Sequence, residues 1–413
     1  MNIAFYSHYF TPEIGAPSAR IYDLAQQWLR MGNKVQVITC FPNHPTGRIY
    51  PGYQAGRYLN ERLDGIEVHR HWTYLAANRG FIRKTLGHLS YLPAAAFISN
   101  PHVASPEVAI GTSPTLFAAM AAASFAKRRR VPFIMEVRDL WPAIFVELGI
   151  LKNRQIIAML ERLEMNLYRK ATKIVVVTEA FRTKLITRGL PPEKIITIPN
   201  GADVEFWSSS KTDGQVRQKY NLENRFVVAY IGAHGISHGL ERVLDCAGKL
   251  RALPDIHFLF VGEGAEKAKL IERASELKLN NTTFLDSVGK NEVRELYELA
   301  DVCLVPLKNI PLFDAFIPSK LFEILAMARP IIGSLRGEAA DILDRSGAAL
   351  IVEPENSHAL AEAVLELYRK PPRARREMGE RGREFVTSHY SRQILSTRYL
   401  DAMKDAIAEY KSQ

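Results

Sequence analysis

Short apolar runs rich in β-branched and aromatic residues recur along the chain. Each is followed by a turn-rich stretch and then by an amphipathic run of helical period. That alternation predicts parallel sheets covered by helices. Strands are expected at NIAFYS (2–7), KVQVITC (34–40), IEVHRHW (66–72), VAIGTS (108–113), PFIMEVRD (132–139), KIVVVT (173–178) and within EKIITIPNGAD (193–203). Ser18 reads as the N-cap of the first helix and Gly32 as its stop. A polar stretch, WSSSKTDGQ (207–215), has the composition of a linker. The series then restarts at RFVVAYIG (225–232), IHFLFVGEG (256–264), TTFLDSV (282–288), ADVCLVPL (300–307), RPIIGS (329–334) and AALIVEP (348–354). The tail from about Ser391 is helical. The predicted fold class is α/β, with two Rossmann-like doubly wound domains facing across a cleft. The domains are placed at residues 1–200 and 201–385, with a C-terminal helix in 386–413 that packs back on the N-terminal domain.

Composition narrows the function. Length favours two domains, and 47% hydrophobic with 24% charged residues is ordinary for a folded protein. The three cysteines, Cys40, Cys246 and Cys303, are isolated, which argues against a disulfide framework or a zinc knuckle. They fit a reducing, cytoplasmic setting. The N-terminus lacks signal-peptide character, and the most apolar windows (91–99 and 115–126) are too short to span a bilayer. The net charge of +10 implies an anionic partner. No nucleic-acid reader motif accompanies it, so a basic nucleic-acid-binding protein is the weaker alternative. There is no Asp-x-Asp clamp, no GxSxG elbow, no Walker loop and no metal-ligand cluster.

Five segments carry chemistry. Gly15, in TPEIGAPSAR, lies just before a helix and would let a phosphate approach backbone amides. YIGAHGISHGLE sets Gly232 at a strand end in a glycine-rich loop. His238 could donate there to phosphate oxygens, whereas His234 reads as a solvated loop residue. FVGEGAEKAKL repeats the strand-then-glycine design with Gly262 and Gly264. In DAFIPSKLFEILAMARP, Pro318 reads as the first helical residue. The amides of Ser319 and Lys320 would then point out of the helix, with the Lys320 charge added to them. Glu323, one turn on, suits a pair of ribose hydroxyls. The apolar neighbours of this pair argue against a surface helix. In MEVRDLWP, Glu136, Arg138 and Asp139 fall at a strand end, where charges are costly unless used or paired.

These segments together resemble the retaining GT-B glycosyltransferases of family 4, and among them the WbuB-type enzymes of bacterial O-antigen and capsule synthesis. The carriers are YSHYFTPEIGAPSAR, EVRDLWP, IPNGAD, GAHGISHGLE and IPSKLFEILAMARP, spread over essentially the whole chain. The resemblance implies sugar transfer from a nucleoside diphosphate donor, UDP-linked by preference, with retention and without a metal or other cofactor. It implies that Glu323 holds the ribose, that Ser319, Lys320 and Gly15 meet the diphosphate, that Ser287 and Val288 lie near the base, and that Phe316 and Ile317 face the sugar. Asp139, Lys320 and Glu323 are the expected catalytic residues, with Glu136 and Arg138 on the acceptor side. Departures occur at Ala315, Ala233, His238 and Arg138, where the family pattern carries Glu, Arg, Lys and His. The implied acceptor is a lipid-linked sugar or oligosaccharide at the inner face of the plasma membrane. Two mixed basic and apolar segments (79–99 and 126–133) fit peripheral contact with anionic lipid. A nucleotide-sugar 2-epimerase or hydrolase of the same fold is the enzymatic alternative.

Overall fold

The computed structural model describes residues 1–413 except 14, 45, 76–80, 114, 148, 150, 210–212 and 413, with backbone only at 16, 81–84, 144, 147 and 213–215. Parts of three motifs read above therefore lie outside the described residues: Ile14, Arg79 with Gly80, and Ser210 to Thr212. The chain divides into two units, residues 1–199 with 392–413, and residues 200–391.

The first unit is built on eight strands: β1 Asn2–Tyr6, β2 Lys34–Cys40, β3 Tyr58–Leu63, β4 Ile66–His71, β5 Val108–Thr112, β6 Phe133–Val137, β7 Lys173–Val176 and β8 Ile195–Thr197. Their order is β3-β4-β2-β1-β5-β6-β7-β8. All neighbours are parallel except β3, which pairs antiparallel with β4, Tyr58 opposite His71. β3 is absent from the sequence reading. It is an edge strand whose polar Asn60, Glu61 and Arg62 hide the period. The inner strands are buried on both faces, which is why they read as continuous apolar runs.

Helix α1 (Ala16–Arg30) is capped by Gly15, not by Ser18, and Ser18 is buried in the first turn. Gly32 follows the C-cap with φ 79°, the left-handed conformation that stops a helix. Helices α2 (Phe81–Ala94) and α3 (Leu116–Arg129) also belong to this unit, and a π turn extends α2 over Ala95–Ser99.

The six strands of the second unit are β9 Phe226–Ile231, β10 Ile256–Val261, β11 Thr282–Leu285, β12 Val302–Pro306, β13 Ile331–Ser334 and β14 Ala349–Val352. Their order, β11-β10-β9-β12-β13-β14, is wholly parallel and is that of a dinucleotide-type doubly wound sheet. Two short helices matter here, α4 (Leu240–Lys249) and α5 (Lys320–Ala326). The polar stretch at 207 does not mark the unit boundary, which falls at Pro199 and Asn200. Trp207 is instead buried against Tyr297, with ring centroids 5.7 Å apart, and its carbonyl accepts from Arg383 at 2.7 Å.

The last helix, α6 (Arg392–Lys411), is part of the first unit. Its Leu395, Tyr399 and Met403 share the core of Phe5 and Trp28. The Trp28 indole N–H donates to the Ser396 carbonyl at 3.2 Å, and Arg392 pairs with Asp23 of α1.

Candidate functional site

In the second sheet the winding reverses between β9 and β12, so the loops leaving their carboxyl ends diverge and open a crevice. The first loop starts at Gly232 and ends at Gly239, the N-cap of α4. The second runs from Leu307 to Ser319. The Lys308 amide donates to the Ser237 carbonyl at 2.9 Å and ties the two together.

The loop after β10 presses on the first. The Gly232 amide donates to Val261 O (2.9 Å), His234 N to Glu263 O (2.8 Å) and Glu266 N to His234 O (3.0 Å). A Cβ at Gly262, whose φ is +140°, would drive into the Gly232 carbonyl oxygen. The carbonyl belongs to backbone and the Cβ position is fixed by backbone, so neither can rotate away. Gly262→Ala is therefore expected to cost about 1–3 kcal/mol of stability, read as a lower denaturation midpoint. An unchanged midpoint would show that the loops yield freely.

Lys320 is the centre of this arrangement. Its stem lies against Gly232, where a Cβ would meet Cε at 2.9 Å. Its Nζ stands 3.9 Å from the Tyr230 ring centroid. That Nζ is buried and has no hydrogen-bond partner among the described residues. Burial pushes its pKa down to about 7, against the opposing pull of Glu323 and Cys303. A sequestered ammonium without an acceptor is unfavourable as it stands and is relieved by an anion.

The two histidines flank it without adding charge. Burial, and then the Lys320 charge, lowers His238 to about 3. Its Nδ1 faces the Pro306 carbonyl at 3.4 Å. His234 is not solvated: it is fully buried, near the rings of Tyr230, Phe260 and Phe284, and burial lowers it to about 4.

Helix α5 starts at Lys320 with Ser319 as N-cap, so Pro318 lies ahead of the helix instead of opening it. The first backbone bonds run from Leu321 N to Pro318 O and from Phe322 N to Ser319 O. The amides of Ser319 and Lys320 precede them. Glu323, partly buried, follows in the first turn, and Phe316 and Ile317 sit in the loop before it. The structure thus gathers Gly232, His238, Phe316, Ile317 and Ser319 on the two loops, with Lys320 and Glu323 in the first turn of α5. Ser287 and Val288 follow β11, the edge strand two places from β9.

In the first unit, Gly15 is exposed at the start of α1, and its carbonyl accepts from Ala19 N at 3.0 Å. Arg138 and Asp139 occupy the turn after β6, where the Ser113 hydroxyl accepts from their amides at 2.8 and 3.2 Å. Burial raises the Asp139 pKa and Arg138 opposes it. Glu136 is committed to the interior: Oε1 pairs with Arg20 Nε at 3.0 Å, and Oε2 accepts from Thr112 at 2.7 Å. An aromatic and imidazole cluster at the carboxyl end of β1 escaped the sequence reading. Tyr9 Oη lies 3.0 Å from His88 Nε2, and the rings of His8 and His88 are 4.7 Å apart. Its only signal was the motif YSHYF, since His88 joins it from α2.

Two family models match consecutive parts of the chain. Residues 15–201 match the Glycosyl transferase 4-like domain, and residues 213–385 match Glycosyl transferases group 1. The chain belongs to the GT-B glycosyltransferases. It is 27% identical over 379 residues to the Escherichia coli K12 protein described as a colanic acid biosynthesis glycosyl transferase, WcaI, covering 88% of this chain and 91% of that one. Among solved structures, sucrose-phosphate synthase of Thermosynechococcus elongatus aligns over 99% of both chains, with TM-score 0.77 and 17% identity. HepE of Anabaena, solved with UDP and glucose, aligns over 97% of this glycosyltransferase and 99% of itself, with TM-score 0.72 and 17% identity. At these identities the two structures speak for the fold.

Proposed function

We propose that this glycosyltransferase moves a sugar from a UDP-sugar to a lipid-linked or oligosaccharide acceptor in cell-surface polysaccharide synthesis, with retention and without a metal. The observation that carries the donor half is the buried Nζ of Lys320, which has no hydrogen-bond partner among the described residues and stands at the first residue of α5. As the bond from the anomeric carbon to the diphosphate breaks, charge grows on the leaving phosphate. A fixed ammonium and aligned amides stabilise that charge more than they stabilise the bound donor. The departing phosphate oxygen takes the acceptor's proton as the acceptor oxygen closes on the same face of the sugar. Glu323 holds the ribose hydroxyls, with Ser287 and Val288 toward the base and Phe316 and Ile317 toward the sugar. Asp139 and Arg138, in the first unit, take the acceptor. The likeness to WcaI, named for colanic acid biosynthesis, supports a surface polysaccharide as the destination. The solved complex of HepE with UDP and glucose supports uridine in the donor.

Titration calorimetry tests the donor site. Wild-type protein is expected to bind UDP in the presence of a chelator, and more weakly GDP and ADP. Glu323→Ala is expected to lose about 1.5–3 kcal/mol of that affinity while keeping its unfolding midpoint. Unchanged affinity would displace Glu323 from the site. No response of the wild type to any of the three nucleotides would overturn the donor assignment.

A further inference from the structure

Helix α2 and its π turn have two faces of different character. Gly87, Tyr91, Ala94 and Ala95 are buried, and the Tyr91 hydroxyl donates to the Ile38 carbonyl at 2.5 Å. On the other side Leu86, Leu89, Pro93 and Phe97 are exposed, Phe97 by 75%. Their spacing puts them along one line of the helix surface. A second apolar segment is fastened beside them, since the Tyr74 amide donates to Ser90 Oγ of α2 at 2.9 Å. That segment exposes Trp72 by 51% and Tyr74 by 42%. Scattered apolar residues are normal on a surface, but a contiguous row edged by aromatic residues is not.

Charge decides what covers the row. Helix α3 ends in four consecutive exposed cations, residues 127–130. Arg128 reaches Asn100, the residue that ends the π turn, at 3.1 Å in the amide orientation that also serves the Ala95 carbonyl. The cations therefore adjoin the Phe97 end of the row. Between Glu67 and Glu136 the chain carries eight arginines and lysines and a single acidic residue, Glu107. Glu107 lies 3.9 Å from the amino terminus and accepts from the Asn2 amide. A protein partner or a second copy of this chain presents charges of both signs, whereas an anionic bilayer presents one sign above an apolar layer.

We propose that the outer face of α2, the Trp72–Tyr74 segment and the cationic end of α3 form a docking surface for anionic lipid bilayer. Leu86, Leu89 and Phe97 enter the boundary between headgroups and acyl chains, Trp72 and Tyr74 lie at headgroup level, and residues 127–130 meet lipid phosphates. The inner side of the same helix sets His88 against Tyr9 at the carboxyl end of β1. One helix thus links the lipid surface to the cluster at the β1 end. This inference deepens the reading of a lipid-linked acceptor, and its test involves neither donor nor transfer.

The test is flotation with vesicles of phosphatidylcholine alone and of phosphatidylcholine with about a third phosphatidylglycerol. Wild-type protein is expected to float with the anionic vesicles only. Leu89→Glu with Phe97→Glu should abolish flotation. Lys127→Ala with Arg130→Gly should raise the lipid concentration at half-binding roughly tenfold or more. Both pairs alter exposed side chains, and glycine suits the left-handed conformation of Arg130. Their unfolding midpoints and thermal response to UDP should match the wild type, which separates lost docking from lost folding. If the apolar pair fails to fold, the cation pair still decides. Three outcomes overturn the proposal: no flotation of the wild type, flotation undiminished in both variants, or a concentration-dependent dimer that Leu89→Glu with Phe97→Glu dissolves.

Discussion

Lys320→Met is expected to weaken UDP binding about thirtyfold and, at the same time, to raise the unfolding midpoint. The first effect follows from losing a charge-assisted contact worth about 2 kcal/mol. The second follows because the lysine is held in an unfavourable setting. Its pKa is about 7 in the folded chain against an ordinary 10.5. Between those values the unfolded chain binds more protons, so stability rises with pH. The burden is full below pH 7 and gone near 10.5. Methionine keeps the stem's packing on Gly232 and removes the burden, a gain of about 1 kcal/mol or more at neutral pH. Denaturation of both proteins at pH 7 and pH 10 checks it: the gap between them should narrow as pH rises. Donor affinity of the wild type should fall as pH rises through 7, because the free site must take up a proton to meet the diphosphate. A pH-independent affinity would show that Lys320 is not the anion's partner. Methionine that destabilises the fold would show that the ammonium is satisfied after all.

The second large effect is expected in the first unit. Arg20 links α1 to β6 and to the segment that leaves β8: Nε holds Glu136, Nη1 donates to Pro199 O at 2.9 Å and Nη2 to Ile198 O at 3.1 Å. Arg20→Met leaves the fully buried Glu136 with Thr112 as its remaining described partner. Removing one member of a buried pair typically costs about 3–5 kcal/mol. Replacing both, Arg20→Met with Glu136→Leu, should recover much of that loss, because no charge is then left stranded. Urea denaturation of the single and double variants measures it. A single variant within about 0.5 kcal/mol of wild type would contradict the assignment of Glu136 to a structural pair.

Parts of this molecule were legible in its sequence for reasons that can be named. Strands such as β2 and β9 are buried on both faces, so KVQVITC and FVVAYI announce themselves without any partner in view. The apolar run after Lys320 was legible as a buried helix, although Pro318 lies ahead of that helix and does not open it. What stayed hidden depends on distant chain. His234 looks solvated until Phe260 and Phe284, from two other strands, close around it. Trp207 sits in a polar stretch and is buried only because Tyr297 and Arg383 come to it. The local rule for an N-cap chose Ser18, but Pro17 favours an earlier start, and the helix begins after Gly15. The charge on Lys320 was readable, whereas its depressed basicity was not, because burial is a property of the fold.

The first unit takes its last helix from residues 392–411, after the chain has traced all of the second unit. During synthesis, then, Trp28 and Phe5 are made early and wait for Tyr399 and Met403. The second sheet can close while the first still shows an open apolar face. Domains usually mature in the order in which they emerge. Here the order is inverted, and the ribosome must release the chain past Met403 before the first core is sealed.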